Sequence, residues 1–140
     1  MKFYVVIDTN VLVSSALKPE SNPGIIYNLV QQGIIVPIIN DKIVSEYYEI
    51  LSRSKFHLTS EVINKIINNI VNKAILIDEK HIDIDLPDEK DRVFYEVTMT
   101  SKEERDTMLV TGNMKHFPIE PFIVTPKELC DIIVKEICEV

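Results

Sequence analysis

The sequence predicts an α/β fold with a central, mainly parallel five-stranded sheet between two layers of helices. Short apolar runs rich in Val and Ile alternate along the chain with longer amphipathic stretches. The runs lack polar alternation, which is typical of strands that crossover helices bury on both faces. No repeat or linker interrupts the pattern, so residues 1–140 are predicted to form a single domain.

The first part of the chain contains two predicted strands and two predicted helices. Phe3 to Ile7 is a continuous apolar run, and a helical stretch follows from Asn10 to Leu17. Asn22-Pro23 is an N-cap followed by proline at the first helical position, and Gly33 ends the helix that begins there. Ile34 to Ile39 is the second strand.

Two helices and a short strand follow in the middle of the chain. Asn40-Asp41 caps the third helix. Thr59 or Ser60 opens the fourth, in which apolar residues recur at spacings of three and four between Val62 and Val71. The third strand is predicted over Ala74 to Ile77.

The last part of the chain completes the pattern with two strands and two helices. Pro87-Asp88 leads into the fifth helix, and Met108 to Val110 is the fourth strand. Phe122 to Val124 is the fifth strand. Thr125-Pro126-Lys127-Glu128 is a capping box, and it starts a final helix that runs to about Ile137.

The net charge and the cysteine content limit the kinds of partner and the cellular location that this chain can have. A net charge of −7 disfavours passive binding to nucleic acid. The segment from Asp78 to Asp91 holds seven acids and two lysines, and it is either a solvated loop or one wall of a cation site. The apolar runs are too short to span a membrane. We expect Cys130 and Cys138 to be reduced and to pack as small hydrophobes, which favours a cytoplasmic location.

Oxygen-bearing side chains stand where the predicted strands end. Asp8 directly follows the first strand, and Thr111-Gly112-Asn113 follows the fourth. Glu46 lies one turn into the helix after the second strand, and Asp91 lies at the start of the helix after the third. Helix capping, a solvated helix face and a turn also explain these residues one by one. Together, hard oxygen ligands without a Cys/His cluster favour Mg²⁺ or Mn²⁺ over zinc.

Four segments that contain these residues are Ile7-Asp8-Thr9-Asn10-Val11-Leu12-Val13-Ser14-Ser15-Ala16-Leu17, Ser45-Glu46-Tyr47 with Leu51-Ser52-Arg53, Asp88-Glu89-Lys90-Asp91-Arg92-Val93-Phe94, and Leu109-Val110-Thr111-Gly112-Asn113. In their order along the chain, these segments resemble the motifs of PIN domains, and the match runs from about residue 3 to residue 134. The closing segment Ile123 to Leu129 is similar to that of the VapC-like toxin components of toxin–antitoxin systems.

The resemblance implies a three-layer α/β/α PIN fold and a metal-dependent ribonuclease that cleaves RNA. It implies that Asp8, Glu46 and Asp91 bind Mg²⁺ or Mn²⁺ and form the catalytic site together with Asn113. Many members have Asp where this chain has Asn113, so the predicted site carries one charge fewer. It further implies a cytoplasmic homodimer whose activity a protein antitoxin blocks. The basic residues nearest to these motifs in sequence are candidate phosphate contacts: Lys18, Arg53, Lys55, Lys115 and His116.

Three other functions compete with this interpretation. A PIN scaffold that binds RNA or a protein without cleaving it would be consistent with Asn113 and the acidic composition. A receiver-type phosphoacceptor also gathers acids at strand ends, but it requires a lysine after the fifth strand, where this chain has Thr125-Pro126. A haloacid-dehalogenase site requires a second Asp two residues after Asp8, where this chain has Asn10.

Overall fold

The structure is a computed structural model that describes residues 1–139, and its core is a five-stranded sheet with every neighbouring pair parallel. The strand order across the sheet is β3-β2-β1-β4-β5. The strands are β1 (Phe3–Ile7), β2 (Ile35–Ile39), β3 (Ile75–Leu76), β4 (Thr107–Val110) and β5 (Ile123–Val124). All five predicted strands are therefore present, although β2, β3 and β5 are shorter than predicted.

Within residues 1–139, six helices flank the sheet and complete a three-layer α/β/α fold, as predicted. They are α1 (Thr9–Leu17), α2 (Asn22–Gln31), α3 (Asp41–Leu51), α4 (Ser60–Lys73), α5 (Arg92–Lys102) and α6 (Pro126–Cys138). Helix α5 packs across β1, β2 and β4, whereas α2 and α4 pack on β2. Val5 and Val6 point to opposite faces of β1 and are both fully buried, so the sheet is covered on both sides.

The carboxyl end of β1 is the point where the direction of strand addition reverses. From β1 the chain moves to β2 and β3 on one side, and it then crosses to β4 and β5 on the other. Ile7 pairs with Val110, and the backbone N–H of Asp8 donates to the Val110 carbonyl at 3.0 Å. Such a reversal leaves a crevice at the carboxyl ends of the strands, where α/β proteins bind ligands.

The start of α5 differs from the prediction. The sequence pattern placed the beginning of this helix at Asp88, but Glu89–Asp91 form a separate 3₁₀ turn and α5 begins at Arg92. The reason is local, because the Asp88 carboxylate accepts from the backbone N–H of Lys90 at 3.0 Å and so caps the tighter turn. Asp91 consequently stands at the junction between the turn and the helix.

The acidic segment before this turn is a loop whose aspartates are exposed to solvent, as one of the two predictions had it, and whose apolar side chains pack inward. Residues 77–86, which we call the α5 strap, run along α5 with their isoleucines and leucine packed against the core. The N–H of Ile82 donates to the buried Glu96 carboxylate at 2.7 Å. The Arg92 guanidinium donates to the carbonyl oxygens of Ile82 and Ile84. These contacts fix the chain that leads into the 3₁₀ turn.

The predictions about membrane spans and cysteines can be compared with the structure. In the part of the chain that the structure describes, no helix is long and apolar enough to cross a membrane. Cys130 and Cys138 are both free. Cys130 is half-buried, in keeping with the prediction, but Cys138 is exposed in the last turn of α6, so the prediction that it packs as a hydrophobe is wrong.

We expect Tyr47 to stabilise the contact between α3 and the end of β1. Its fully buried hydroxyl donates to the Ile7 carbonyl at 2.5 Å. Tyr47→Phe removes a donor from a carbonyl in dry surroundings, so the free energy of unfolding should fall by about 1–2 kcal/mol in urea denaturation. Tyr48→Phe, at the neighbouring exposed position, is the control and should have no effect. Equal losses for the two variants would contradict this role.

Candidate functional site

A cleft of about 570 Å³ lies at the carboxyl end of β1. The four predicted site residues Asp8, Glu46, Asp91 and Asn113 all line it. The other residues that line it are Thr9, Asn10, Val13, Ser14, Leu17, Ile50, Arg53, Phe56, Asp88, Lys90 and His116. The cleft therefore brings together side chains that are distant in sequence, with acids on one side and apolar side chains beside them.

Asp8 is the most buried of the acids, with only 4% of its surface exposed. Its carboxylate caps α1 by accepting from the Thr9 N–H at 2.8 Å, so the capping role and a place in the cleft coexist. It also accepts from the Thr111 hydroxyl at 2.7 Å and from the Asn10 amide at 3.1 Å. Burial raises the pKa of Asp8 from 3.8 to about 6; the Thr111 bond opposes this rise, and the charge of Asp91 adds to it.

Glu46 reaches the cleft from α3. Asn40 caps this helix by accepting from the Ile43 N–H at 2.9 Å, and the buried Tyr47 anchors it. The neighbouring Glu46 is half-buried and accepts a hydrogen bond from the Thr9 hydroxyl. Burial raises the pKa of Glu46, the Thr9 bond opposes that rise, and the charge of Asp8 adds to it. Glu46 is thus not the plain solvated helix residue that its position alone would indicate.

Asp91 reaches the cleft from the 3₁₀ turn before α5. Its Oδ2 lies 2.9 Å from Nδ1 of His116, a residue in the loop after β4. Burial raises the pKa of Asp91, the His116 contact lowers it, and the charges of Asp88 and Glu46 raise it further. The pKa values of all three acids are thus raised, in each case by burial and by the charge of at least one other acid.

The segment Thr111-Gly112-Asn113 is a turn, but it also supports the acids. The Gly112 N–H donates to the Asn10 side-chain oxygen at 2.9 Å, and the Asn113 N–H donates to the Thr111 hydroxyl at 2.9 Å. A Cβ on Gly112 would lie 3.2 Å from the same oxygen of Asn10, so a side chain would crowd this contact. The exposed Asn113 lines the cleft without a charge.

The basic residues divide into two groups. Of the five candidate phosphate contacts, Arg53 and His116 line the cleft, whereas Lys18, Lys55 and Lys115 do not. Lys90 lines it as well, although the sequence reasoning did not single it out. That reasoning named Thr111 as a polar group at the end of the fourth strand and Thr9 as part of the first motif, but it did not predict that their hydroxyls donate to the acids. Their positions within two residues of the ends of β1 and β4 were the available signal, since polar groups there face the crevice.

The chemistry of the cleft fits a hard divalent cation, although its acids do not converge. Within residues 1–139, no three His, Cys, Asp or Glu side chains lie close enough together to hold an ion. Burial above all, with a smaller contribution from the charges of neighbouring acids, nevertheless raises the pKa values of the three carboxylates. Carboxylate and amide oxygens are the ligands that Mg²⁺ and Mn²⁺ prefer.

The burial of Asp8 predicts an unusual pH dependence of stability without metal. Because the folded chain keeps the Asp8 proton up to about pH 6 and the unfolded chain releases it near 3.8, the free energy of unfolding should fall as pH rises through this window, by up to about 3 kcal/mol. Asp8→Asn should flatten the profile. Urea denaturation in EDTA from pH 4 to 7.5 measures both, with Asp106→Asn as an exposed control. Parallel profiles for wild type and Asp8→Asn would contradict the assignment.

Comparison with known proteins identifies the family. A family model described as PIN domain matches residues 4–115. Searches of curated proteins and of solved structures find no significant match. PIN domains are generally nucleases that depend on divalent metal ions. Since the matched region contains β2 to β4, all of β1 but its first residue, and every side chain that lines the cleft except His116, this chain belongs to the PIN domain family.

Proposed function

We propose that this chain is a Mg²⁺- or Mn²⁺-dependent endoribonuclease whose metal ligands are Asp8, Glu46 and Asp91. The observation that carries the proposal is the cleft itself. Three acids from β1, α3 and the turn before α5 face one cavity, and burial and mutual repulsion raise their pKa values. A cluster of under-neutralised carboxylates is costly to a fold unless it serves a charged ligand.

The side chains around the acids support this chemistry. A bound divalent ion would lower the pKa of a water molecule and stabilise negative charge on the phosphodiester. Thr9, Asn10 and Thr111 donate hydrogen bonds that hold the Glu46 and Asp8 carboxylates in the cleft. The uncharged Asn113 offers an amide group that would bind or orient water at the same edge.

RNA is the proposed substrate because the cleft combines cationic and apolar walls. Arg53 and Lys90 are exposed at its edge and are suited to phosphate oxygens. Leu17 and Phe56 offer apolar surface on which an unpaired base can pack. This combination favours a single strand, whose bases are free to leave the stack.

The biological role that we propose is the toxin component of a toxin–antitoxin pair. Its support is the likeness of Ile123 to Leu129 to the VapC-like subgroup. In this role the chain would form a homodimer in the cytoplasm and bind a protein antitoxin that covers the cleft. A small gene next to its own, whose product co-purifies with this chain and blocks cleavage, would support the role. Size-exclusion chromatography with light scattering tests the dimer.

We expect Asp8→Asn to abolish cleavage while the protein stays folded. The substitution removes a predicted metal ligand with little change in volume, so activity should fall by about 10²-fold or more. Labelled single-stranded RNA is incubated with wild type and variant, each with Mn²⁺, with Mg²⁺ or with EDTA. Cleavage by wild type alone, and only with metal, supports the proposal. Equal cleavage by both proteins would indicate a contaminating nuclease.

A non-catalytic PIN scaffold that binds RNA or a protein is the second candidate. Two observations favour it: Asn113 stands where many members have Asp, and the acids do not converge at ligand distance within the described residues 1–139. In a scaffold, RNA or a protein partner would bind without turnover at any metal concentration.

Asn113→Asp distinguishes a weakened enzyme from a scaffold. The added carboxylate should lower the Mn²⁺ concentration needed for half-maximal cleavage by about tenfold, which corresponds to about 1.4 kcal/mol. The assay is RNA cleavage over a series of Mn²⁺ concentrations. Asp106→Asn, far from the cleft, is the control. If neither wild type nor Asn113→Asp cleaves any of several RNAs, the scaffold is the better description.

A further inference from the structure

The loop after β4 contacts two of the three acids. Thr111, at its start, donates its hydroxyl hydrogen to Asp8, and His116, near its end, contacts Asp91. The two contacts are 2.7 and 2.9 Å long. The loop therefore joins the acid that follows β1 to the acid that precedes α5, although its own Asn113 brings no carboxylate.

His116 is held firmly enough to orient another side chain. Residues Met114–His116 form a 3₁₀ turn, and the His116 N–H donates to the Asn113 carbonyl at 3.0 Å. The next residue, Phe117, is buried with 6% of its surface exposed, and this burial anchors the turn to the core. The imidazole lines the cleft with 39% of its side chain exposed, so its Nδ1 reaches Asp91 from a fixed backbone.

The His116 contact is the side-chain interaction that holds Asp91, whereas the two acids before it in the turn have other partners. Asp88 is occupied by the Lys90 N–H, and Glu89 is paired with the Arg92 guanidinium. The Asp91 carboxylate does not cap α5, and its side-chain partner is the His116 ring. The ionised carboxylate accepts only, so the imidazole donates from Nδ1 to Oδ2. Among the described residues 1–139, no other side chain donates to this carboxylate, which leaves Oδ1 free.

We infer that His116 is a positioning residue, which holds the Asp91 carboxylate in the cleft with one oxygen free for a divalent cation. This inference rests on the proposed function. Hydrogen bonds to ligating side chains fix their orientation and commonly change metal affinity by about 10–100-fold when removed. The loop after β4 thus contributes to the site through orientation, where many PIN domains contribute a carboxylate.

The competing role for His116 is a direct contact with an RNA phosphate, as its position in the sequence had indicated. The two roles differ in what they change. A positioning residue alters metal binding in the absence of RNA, whereas a phosphate contact alters the KM for RNA at saturating metal. Measuring Mn²⁺ binding without RNA therefore separates them.

The test is Mn²⁺ titration of the whole chain, followed by electron paramagnetic resonance, for wild type and three variants. His116→Ala should bind Mn²⁺ about 10–100-fold more weakly. His116→Asn, whose amide can donate from nearly the same position as Nδ1, should recover most of the affinity. His81→Ala is the matched control, because His81 makes the same kind of contact with Glu96, at 3.0 Å, outside the cleft. It should bind Mn²⁺ as the wild type does.

The titration distinguishes failure of the role of His116 from failure of the proposed metal-dependent function. Wild type that binds no Mn²⁺ would overturn the proposed metal site and this inference with it. Wild type and His116→Ala that bind Mn²⁺ equally would overturn this inference alone, and a raised KM for RNA would then assign His116 to phosphate. Circular dichroism checks that each variant is folded. Should His116→Ala unfold, the comparison of His116→Asn with His116→Leu decides, because only the first keeps a donor.

Discussion

The rest of the structure depends on one carboxylate that is buried at the end of the central strand. Asp8 follows β1 directly, and it is fixed from three directions by Thr9, Asn10 and Thr111. Each of these donors comes from a segment that also shapes the cleft, since Thr9 and Asn10 begin α1 and Thr111 directly follows β4. Burying an ionised group costs several kcal/mol unless hydrogen bonds or an opposite charge compensate. The donors supply only part of that compensation, because the pKa of Asp8 stays raised at about 6.

The acids of this chain lie in two different kinds of surroundings. In the α5 strap and the turn after it, two glutamates form ion pairs: Glu79 pairs with Lys42, and Glu89 pairs with Arg92. These pairs lower the pKa values of both glutamates. In the cleft, Asp8, Glu46 and Asp91 contact hydroxyls, an amide and a half-exposed imidazole, and burial raises their pKa values. Among the described residues 1–139, none of these three acids pairs with a lysine or an arginine.

The fold could be predicted from the sequence because local signals agree with one another. Apolar runs, caps such as Asn40 and Thr125, and the glycine that ends α2 all indicate the same α/β order. The α5 strap was missed, although Ile82-Asp83-Ile84-Asp85-Leu86 alternates as a half-buried extended segment does. Its partners are Glu96 and Arg92 on α5, so nothing within the segment shows what covers it. The position of the cleft could be predicted from the polar residues at the strand ends. The contact between His116 and Asp91 could not, because it joins residues 25 apart in sequence and no helix or strand periodicity relates them.

Hydrogen bonds from several elements explain how one edge of the sheet holds three partly buried acids close together, although burial and mutual repulsion disfavour them. The α5 strap contacts Arg92, next to the turn that carries Asp91, and the loop after β4 contacts Asp91 and Asp8. Tyr47 fixes α3, and with it Glu46, to the end of β1. Each acid is therefore attached to a rigid element, while its carboxylate keeps an incomplete set of partners. Without a ligand, a fold with these three acids is less stable than one with uncharged side chains in their place. A ligand that binds only the folded state stabilises it.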